Sequence, residues 1–195
     1  IDLTTPPAAG GVELISNNGT ANQPVTSGDA TNDTTPVLSG SAAEGSTVTI
    51  LDGNTVLGTV LVDSSGAWTF PIPVLSQGDH SLTTTVTSPA GNVSEPSAAI
   101  DFTVDTEAPA EPAGLQLSND EADPAIPVAA GGATNDTTPV LSGSAEPNSL
   151  VIVRDNGVVI GSATAGADGS WSVTPETELE AGPHSLTASV TDPAG

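Results

Sequence analysis

The chain contains no cysteine, methionine, tyrosine or lysine among its 195 residues. Without cysteine there are no disulfides and no thiol chemistry. If a chain without disulfides is secreted, it needs another reinforcement, and bound metal is the obvious substitute. Zinc does not fit that role, because the chain offers only 2 histidines and no thiolate to hold it.

Positive charge is almost as scarce. Arg154 is the single base against 24 acidic residues, and the formal net charge is −23. Such a chain repels the phosphates of nucleic acids and of anionic membranes, so we expect neither as a partner. It attracts cations instead. An acidic surface of the halophile type explains the same composition, and composition alone does not separate the two explanations.

Long apolar runs are also absent, which predicts that no segment of this chain spans a membrane. No charged-then-apolar leader opens the chain, which begins IDLTTPP and stops at TDPAG, so we expect a fragment of a longer protein. Abundant glycine, proline, serine and threonine are typical of acidic disordered chains. The recurring alternation of Val, Ile, Leu and Thr argues instead for folded β-strands.

The segment ATNDTTPVLSGSA is written twice, at Ala30–Ala42 and at Ala133–Ala145. A shift of 103 residues aligns the two copies from the first residue, and one inserted residue near Pro175–Leu179 changes the shift to 104. GDHSLTTTVTSPAG in the first copy then falls on GPHSLTASVTDPAG in the second. The chain is therefore predicted to be two tandem domains, 1–104 and 105–195.

Each copy has the pattern of an all-β domain, with short runs of strand-forming residues between turn signals. In the first copy the predicted strands are Val12–Ser16, Thr35–Ser41, Ser46–Leu51, Val56–Val62, Ala67–Ile72, His80–Thr87 and Val93–Val104. This spacing predicts an immunoglobulin-like β-sandwich, and the two copies are expected end to end in an elongated arrangement. The second copy stops before the equivalent of Val93–Val104, so we expect it to lack its last strand and to leave a sheet edge exposed.

The combined pattern TNDTTPVLSGSA, an Asp-Gly turn, GxWxxxP, GxHSLTxxVTxPAGN and FTVDTxAP resembles the bacterial immunoglobulin-like repeats of large surface adhesins, including RTX adhesins exported by type I secretion. The resemblance covers the whole chain. It implies an extracellular, cell-surface rod of many such repeats, involved in cell adhesion and biofilm formation, that holds a distal adhesive tip away from the cell. It also implies Ca²⁺ at the domain junctions, which stiffens the rod.

Catalysis is not expected. His80 and His184 occupy equivalent positions, and neither a nucleophile elbow nor a phosphate-binding glycine loop is present. We interpret each histidine as a loop anchor held by a hydrogen bond. Trp68 and Trp171 alternate with apolar residues on predicted strands, so we interpret them as core side chains and not as a sugar-stacking platform.

Calcium ions are the chemical hypothesis that the residues themselves support, because Ca²⁺ takes 6–8 oxygen ligands and this chain is rich in them. No EF-hand loop occurs, so the ligands have to converge from separate loops. Simple reversal of strand direction brings two sets of loops to the junction. In the second copy these loops carry Asp105, Glu146, Asp168 and Asp192. In the first copy they carry Asn17, Asn18, Asp29, Asp33, Asp52 and Asp79.

Asp105 and Asp192 are the predicted principal ligands. Asp192 stands where the first copy has Ser88, which faces no junction within this chain. Asp33, Asp168 or Glu146 is expected to complete the shell. A second acidic set at the far end of the second copy serves either the next junction or an ion of its own; it consists of Asn119, Asp120, Glu121 and Asp123.

Three functions compete at this point. The leading one is a monomeric structural spacer whose partners are neighbouring repeats of the same chain and calcium ions. The second is a calcium-dependent module that binds a glycan or a protein, which needs an exposed aromatic or apolar patch. The third is an accessory domain of a secreted hydrolase, for which no catalytic group is visible. Identical motifs in both copies favour the spacer, because its units are interchangeable.

Overall fold

The computed structural model describes residues 3–17, 22–121 and 124–195. These residues form β-strands joined by turns and loops, and nowhere among them is there a helix long and apolar enough to cross a membrane. The chain divides into two compact units, Ile1–Glu107 (unit 1) and Ala108–Pro193 (unit 2). The predicted fold class, tandem immunoglobulin-like β-sandwiches, is confirmed.

Unit 1 is built from two sheets that face each other across one core. Its strands are β1 (Gly10–Ser16), β2 (Gln23–Val25), β3 (Ala30–Thr31), β4 (Val37–Ser41), β5 (Thr47–Asp52), β6 (Thr55–Leu61), β7 (Ala67–Pro71), β8 (Gly78–Thr87) and β9 (Ile100–Val104). The first sheet has the order β2-β1-β4-β7, and the second has the order β3-β9-β8-β5-β6. All pairs are antiparallel except β3 with β9.

The core of unit 1 follows from the period of two along each strand. On β8, Leu82 and Val86 are buried as the alternation predicts, and Thr84 lies buried between them. Leu38 and Trp68 enter the same core from the opposite sheet. Trp68 is 3% exposed and its counterpart Trp171 is 5% exposed, so the interpretation of both tryptophans as core residues is confirmed.

The predicted last strand of unit 1 is shorter than expected. Only Ile100–Val104 forms a strand, whereas Val93 makes an isolated bridge to Thr87. Pro96 lacks an N–H and does not fit a regular ladder. The hydroxyl groups of Ser94 and Ser97 replace ladder carbonyls there, accepting hydrogen bonds from β8 amides (2.9 and 3.0 Å).

The long loop expected before Thr35 contains two short strands, β2 and β3. β2 pairs with β1, and β3 pairs with β9, the last strand of unit 1. The pairing of β3 depends on a partner more than 70 residues away, since Ala30 lies opposite Thr103. No local sequence pattern indicates such a pair.

Unit 2 repeats this plan in a smaller form. Its strands are β10 (Ala113–Asn119), β11 (Ile126–Val128), β12 (Val140–Ser144), β13 (Leu150–Asp155), β14 (Val158–Thr164), β15 (Ser170–Val173) and β16 (Leu186–Thr191). The sheets have the orders β11-β10-β12-β15 and β14-β13-β16. Within the described part of unit 2, no strand pairs with the outer edge of β16, which agrees with the expected missing strand.

The missing neighbour also shortens β16 relative to β8. In unit 1, β5 pairs with β8 only from Leu82 onward, and Gly78–Ser81 pairs with β9 alone. The equivalent residues Gly182–Ser185 have no such neighbour and are not part of a strand. Within the described residues this segment therefore lacks a second pairing strand, and it also carries Pro183, which has no N–H, where unit 1 has Asp79.

Candidate functional site

The aspartate of the twice-written segment is a buried hydrogen-bond acceptor. Asp33 is 3% exposed. Its Oδ2 accepts the Asn17 amide at 2.8 Å, and its Oδ1 accepts the Thr35 amide at 2.8 Å. The Asp33 amide donates to the Thr31 hydroxyl at 3.1 Å. The two carboxylate oxygens thus satisfy one amide just after β1 and one just before β4, two positions outside the strand ladders.

Unit 2 repeats these contacts at Asp136, which is 4% exposed. Its Oδ1 accepts the Thr138 amide at 2.8 Å, and its Oδ2 accepts the Asp120 amide at 3.2 Å. The Asp136 amide donates to the Thr134 hydroxyl at 3.0 Å. Asp120, a predicted calcium ligand, is therefore placed beside this carboxylate through its backbone N–H.

A second repeated cluster surrounds each histidine. In unit 1 the His80 Nδ1 lies 2.7 Å from Asp52 Oδ2, and its Nε2 lies 2.9 Å from the Ser76 carbonyl oxygen. Asp52 Oδ1 accepts the Ser81 amide at 2.9 Å, and the Gly53 amide donates to the Ser81 carbonyl at 2.9 Å. The histidine thus fastens the loop before β8 to the β5–β6 turn, and its predicted role as a loop anchor is confirmed.

In unit 2 the His184 Nδ1 lies 2.7 Å from Asp155 Oδ2, and its Nε2 lies 2.7 Å from the Glu180 carbonyl oxygen. The Ser185 amide donates to Asp155 Oδ1 at 3.0 Å. The His184 side chain is 27% exposed, against 7% for His80 in unit 1. The difference follows from the strand content, because the ring of Phe102 on β9 packs 5.7 Å from His80 and unit 2 has no described equivalent of β9.

Both histidine pKa values lie above the ordinary value of 6.5. Burial lowers the pKa of His80, but the hydrogen bonds to the Ser76 carbonyl and to Asp52, with the charges of Asp52 and Asp79, outweigh it. For His184 the hydrogen bond to Asp155 is the main cause of the raised pKa, followed by the Glu180 carbonyl. The same contact with His184 lowers the pKa of Asp155.

This geometry bears directly on acid–base chemistry. A catalytic histidine keeps one ring nitrogen for the proton that it moves, while an acid orients the other. In both units the second nitrogen faces a backbone carbonyl instead. The arrangement is that of an anchor.

An open pocket of about 460 Å³ lies beside His80 in unit 1, and three carboxylates line it. Asp52 holds the histidine, as described above. Asp79 Oδ1 accepts the Thr103 hydroxyl at 2.8 Å, and Asp101 Oδ1 accepts the Ser81 hydroxyl at 2.6 Å. Each carboxylate therefore already receives a hydrogen bond from within its own unit.

Asp105, the first predicted calcium ligand, is held by unit 1. Its amide donates to the Thr31 carbonyl at 2.9 Å, and its Oδ1 accepts the Gln77 side-chain amide at 2.8 Å. Gln77 Oε1 in turn accepts the amide and the hydroxyl of Thr106, at 2.9 and 2.8 Å. The Gln77 hydrogen bond is the main cause that lowers the pKa of Asp105, and the Glu107 amide adds to it.

The other predicted ligands of the second copy lie at one end of unit 2. Asp168 Oδ1 accepts the hydroxyl and the amide of Ser170 at the start of β15, and these bonds lower its pKa. The Glu146 carbonyl accepts the Ser149 hydroxyl just before β13. Asp192 follows β16, and its Oδ1 accepts the Gly195 amide at 2.9 Å.

The strand directions thus group Glu146, Asp168 and Asp192 at the same end of unit 2, as the reversal argument anticipates. Asp123 lies outside the described residues. Across residues 3–17, 22–121 and 124–195, no group of three histidine, aspartate or glutamate side chains is close enough to hold a metal ion. Whether calcium binds stays a prediction.

Several structural residues were not singled out by the sequence. Asp136 and Asp155 repeat the roles of Asp33 and Asp52, and each pair is aligned when the two copies are superposed in sequence. Gln77 has no such signal, because its counterpart in the second copy is Ala181. Its contact with Asp105 joins residues 28 positions apart, which only the tertiary structure brings together.

The family profile of the bacterial Ig-like domain matches residues 12–106 and 122–195. No curated protein sequence matches the chain significantly. Among solved structures, a biofilm-associated protein, described by its BSP domain, is 28% identical over 84% of this chain, with a TM-score of 0.31. This chain spans 26% of the length of that structure. The human OSCAR ligand-binding domain is 16% identical over 97% of this chain and 100% of its own, with a TM-score of 0.42. At these TM-scores neither structure bears on function.

Proposed function

Because the chain belongs to the bacterial Ig-like domain family, we propose that its two repeats are structural extender domains of a bacterial cell-surface adhesin. Their role is to hold a distal adhesive domain away from the cell. The observation that carries this proposal is that both units repeat the same internal contacts. Asp33 recurs as Asp136, and the pair His80–Asp52 recurs as His184–Asp155.

Contacts that recur in this way maintain a domain and do not create a unique recognition surface. A binding module concentrates its contacts in an exposed aromatic or apolar patch. Here the largest aromatic side chains, Trp68 and Trp171, are both buried. The repeated features thus serve folding, and interchangeable units are what a spacer needs.

The test of the spacer is an exchange in the full-length protein on the cell surface. The segment is replaced by two unrelated bacterial Ig-like repeats of equal length, and adhesion is measured against the parent and a deletion of both repeats. A spacer predicts that the exchange keeps adhesion and the deletion reduces it. Loss of adhesion after the exchange contradicts the spacer and favours the calcium-dependent glycan- or protein-binding module.

We propose in addition that calcium ions bind near Asp105, Asp168 and Asp192 and restrain the linker between the repeats. The proposal is supported by the chemistry of the chain, since calcium prefers oxygen ligands and the net charge is −23. The described residues contain no preassembled group of three such side chains, so no ligand geometry is assigned. Extracellular sites of this class bind at roughly 10⁻⁴–10⁻³ M.

Calcium titration by calorimetry and small-angle scattering tests this second proposal. Expected results are saturable binding and a narrower range of particle dimensions in calcium than in chelator. Asp105→Asn and Asp192→Asn, each made singly, are expected to weaken both effects, and Glu44→Gln in an exposed turn is the charge-matched control. Identical scattering in calcium and chelator contradicts the calcium proposal and leaves the spacer untouched.

A further inference from the structure

The loop between β15 and β16 is held at its first part by backbone hydrogen bonds from Glu176 to Ile160 and from Leu179 to Thr137, and near β16 by the imidazole ring of His184. This loop crosses from one sheet of unit 2 to the other, and β15 and β16 belong to different sheets. The His184 ring bridges the loop and the β13–β14 turn, with Nε2 at 2.7 Å from the Glu180 carbonyl oxygen and Nδ1 at 2.7 Å from Asp155 Oδ2. Both partners are obligate acceptors.

Two acceptors demand two donors from the ring. A neutral imidazole has one N–H and one lone pair, so in either tautomer a lone pair faces an oxygen at 2.7 Å. The imidazolium carries an N–H on both nitrogens and satisfies both contacts. The observed geometry therefore belongs to the charged ring.

The charges around His184 favour that form. β13 contributes Asp155, and the adjacent Arg154 on the same strand donates to the Ser189 hydroxyl at 2.7 Å. β14 carries no ionisable side chain. The crossover loop carries three acidic residues, Glu176, Glu178 and Glu180. Of these charges, Asp155 contacts the ring directly and stabilises a positive charge on it.

We propose that His184 is a proton-operated clamp, which ties the crossover loop to the β13–β14 turn while its ring is charged and releases the Glu180 carbonyl when the ring loses its proton. The same geometry at His80 in unit 1, with the Ser76 carbonyl in place of Glu180, shows that the arrangement is a feature of the repeat. The inference concerns the stability of one repeat and does not depend on the extender role.

The sign of the effect follows from the direction of the shift. The pKa of His184 is raised above 6.5 in the folded chain. Its contribution to stability is therefore fully present below the unfolded pKa and is lost as pH rises through the folded pKa. Mild acid tightens the loop, and mild alkali loosens it.

The test is an NMR titration of the intact chain from about pH 5 to about pH 9, which spans the histidine range. The Cε1–H signal of His184 is expected to titrate with a midpoint above 6.5, and amide signals of residues 176–186 are expected to shift with the same midpoint. The variant His184→Gln assigns the signal. It is expected to keep the fold and to remove the pH dependence of the loop amides over this range.

Two further variants separate the clamp from a merely structural contact. Asp155→Asn is expected to lower the His184 midpoint to the ordinary value or below. Glu180→Ser installs the residue of unit 1 and keeps the backbone carbonyl, so the midpoint is expected to stay above 6.5. A midpoint at or below 6.5 in the parent chain, or loop signals that titrate equally in His184→Gln, overturns the proposal.

Discussion

At the scale of single residues, the repeated segment ATNDTTPVLSGSA divides into two structural roles. The buried carboxylates of Asp33 and Asp136 accept hydrogen bonds from backbone amides near the start of a core strand. Gly40 and Gly143 lie beneath the indole rings, where an added Cβ would come within 2.6 Å of Trp68 and 3.0 Å of Trp171. These contacts explain why the aspartate and this glycine recur in both copies, because each leaves little choice of side chain.

Asp33→Asn is expected to destabilise unit 1. The substitution keeps one acceptor oxygen but places an NH₂ group against an amide donor that the carboxylate now satisfies. Hydrogen bonds to charged groups contribute about 1.5–3 kcal/mol each, and a loss of that size is expected in urea unfolding. The exposed Glu44→Gln is the matched control and is expected to change stability by less than about 0.5 kcal/mol. A stability equal to that of the control contradicts the role given to Asp33.

Gly40→Ala is expected to destabilise unit 1 by overpacking. The new methyl group meets Trp68 at 2.6 Å and the Gly10 carbonyl at 3.1 Å, so the ring or the strand has to move. Such changes typically cost about 1–3 kcal/mol. Gly10→Ala is the control, because its nearest contact is Ser41 Oγ at 3.4 Å. Equal melting temperatures for the two variants would show that the Gly40 position has room.

At the scale of elements, β8 is an interior strand of the second sheet of unit 1. It pairs with β5 along one edge and with β9 along the other. Beyond the end of the β9 pairing, the hydroxyls of Ser94 and Ser97 accept hydrogen bonds from β8 amides. Ser94 is 7% exposed, and its hydroxyl accepts the Val86 amide at 2.9 Å while donating to the Glu95 carbonyl. An irregular, proline-containing segment thus completes a buried ladder.

Ser94→Ala is expected to leave the Val86 N–H without its side-chain acceptor. An unsatisfied buried donor costs about 1–3 kcal/mol, so the unfolding midpoint of unit 1 is expected to fall accordingly. Hydrogen exchange of the Val86 amide should accelerate by more than that of Leu82, which pairs with Ile100 of β9 and not with the Ser94 segment. Ser64→Ala, in an exposed turn, is the control. Unchanged exchange at Val86 would contradict this account of the ladder.

At the scale of the whole molecule, the two units differ in core size despite their common sequence pattern. Among the described residues, the core of unit 1 contains side chains from both sheets, including Leu82, Val86 and Phe102. In unit 2, the equivalents Leu186 and Val190 are only partly buried. β9 covers these side chains in unit 1, which explains the difference in burial. Because buried apolar area stabilises a fold by about 25 cal/mol per Å², unit 2 gains less stability from its core.

Unit 2 is therefore expected to unfold before unit 1. Each unit contains one histidine, so the Cε1–H signals of His80 and His184 report the two units separately in a urea titration without any substitution. The His184 signal is expected to reach its unfolded position at a lower urea concentration. Coincident transitions for the two signals would contradict the expected order.

A synthetic peptide with the sequence of Ile100–Val104 is expected to pair with the open edge of β16. Its addition should raise the urea midpoint that the His184 signal reports and leave the midpoint of the His80 signal unchanged.

The sequence by itself determined the features that depend on local pattern. The internal repeat, the strand alternation and the Asp-Gly turn predicted an all-β tandem fold with both tryptophans in the core. The same pattern indicated that His80 and His184 anchor loops. These predictions succeed because side-chain alternation and turn chemistry are set by near neighbours along the chain.

Only the tertiary structure decided which distant groups meet. It pairs β3 with β9 in parallel, begins the last strand of unit 1 at Ile100 instead of Val93, and places Gln77 against Asp105. It also turns Asp33 inward to serve amides of its own unit. The sequence does not show whether a carboxylate on a loop contacts an ion, an amide or water. Its contacts depend on which backbone donors the folded chain places beside it.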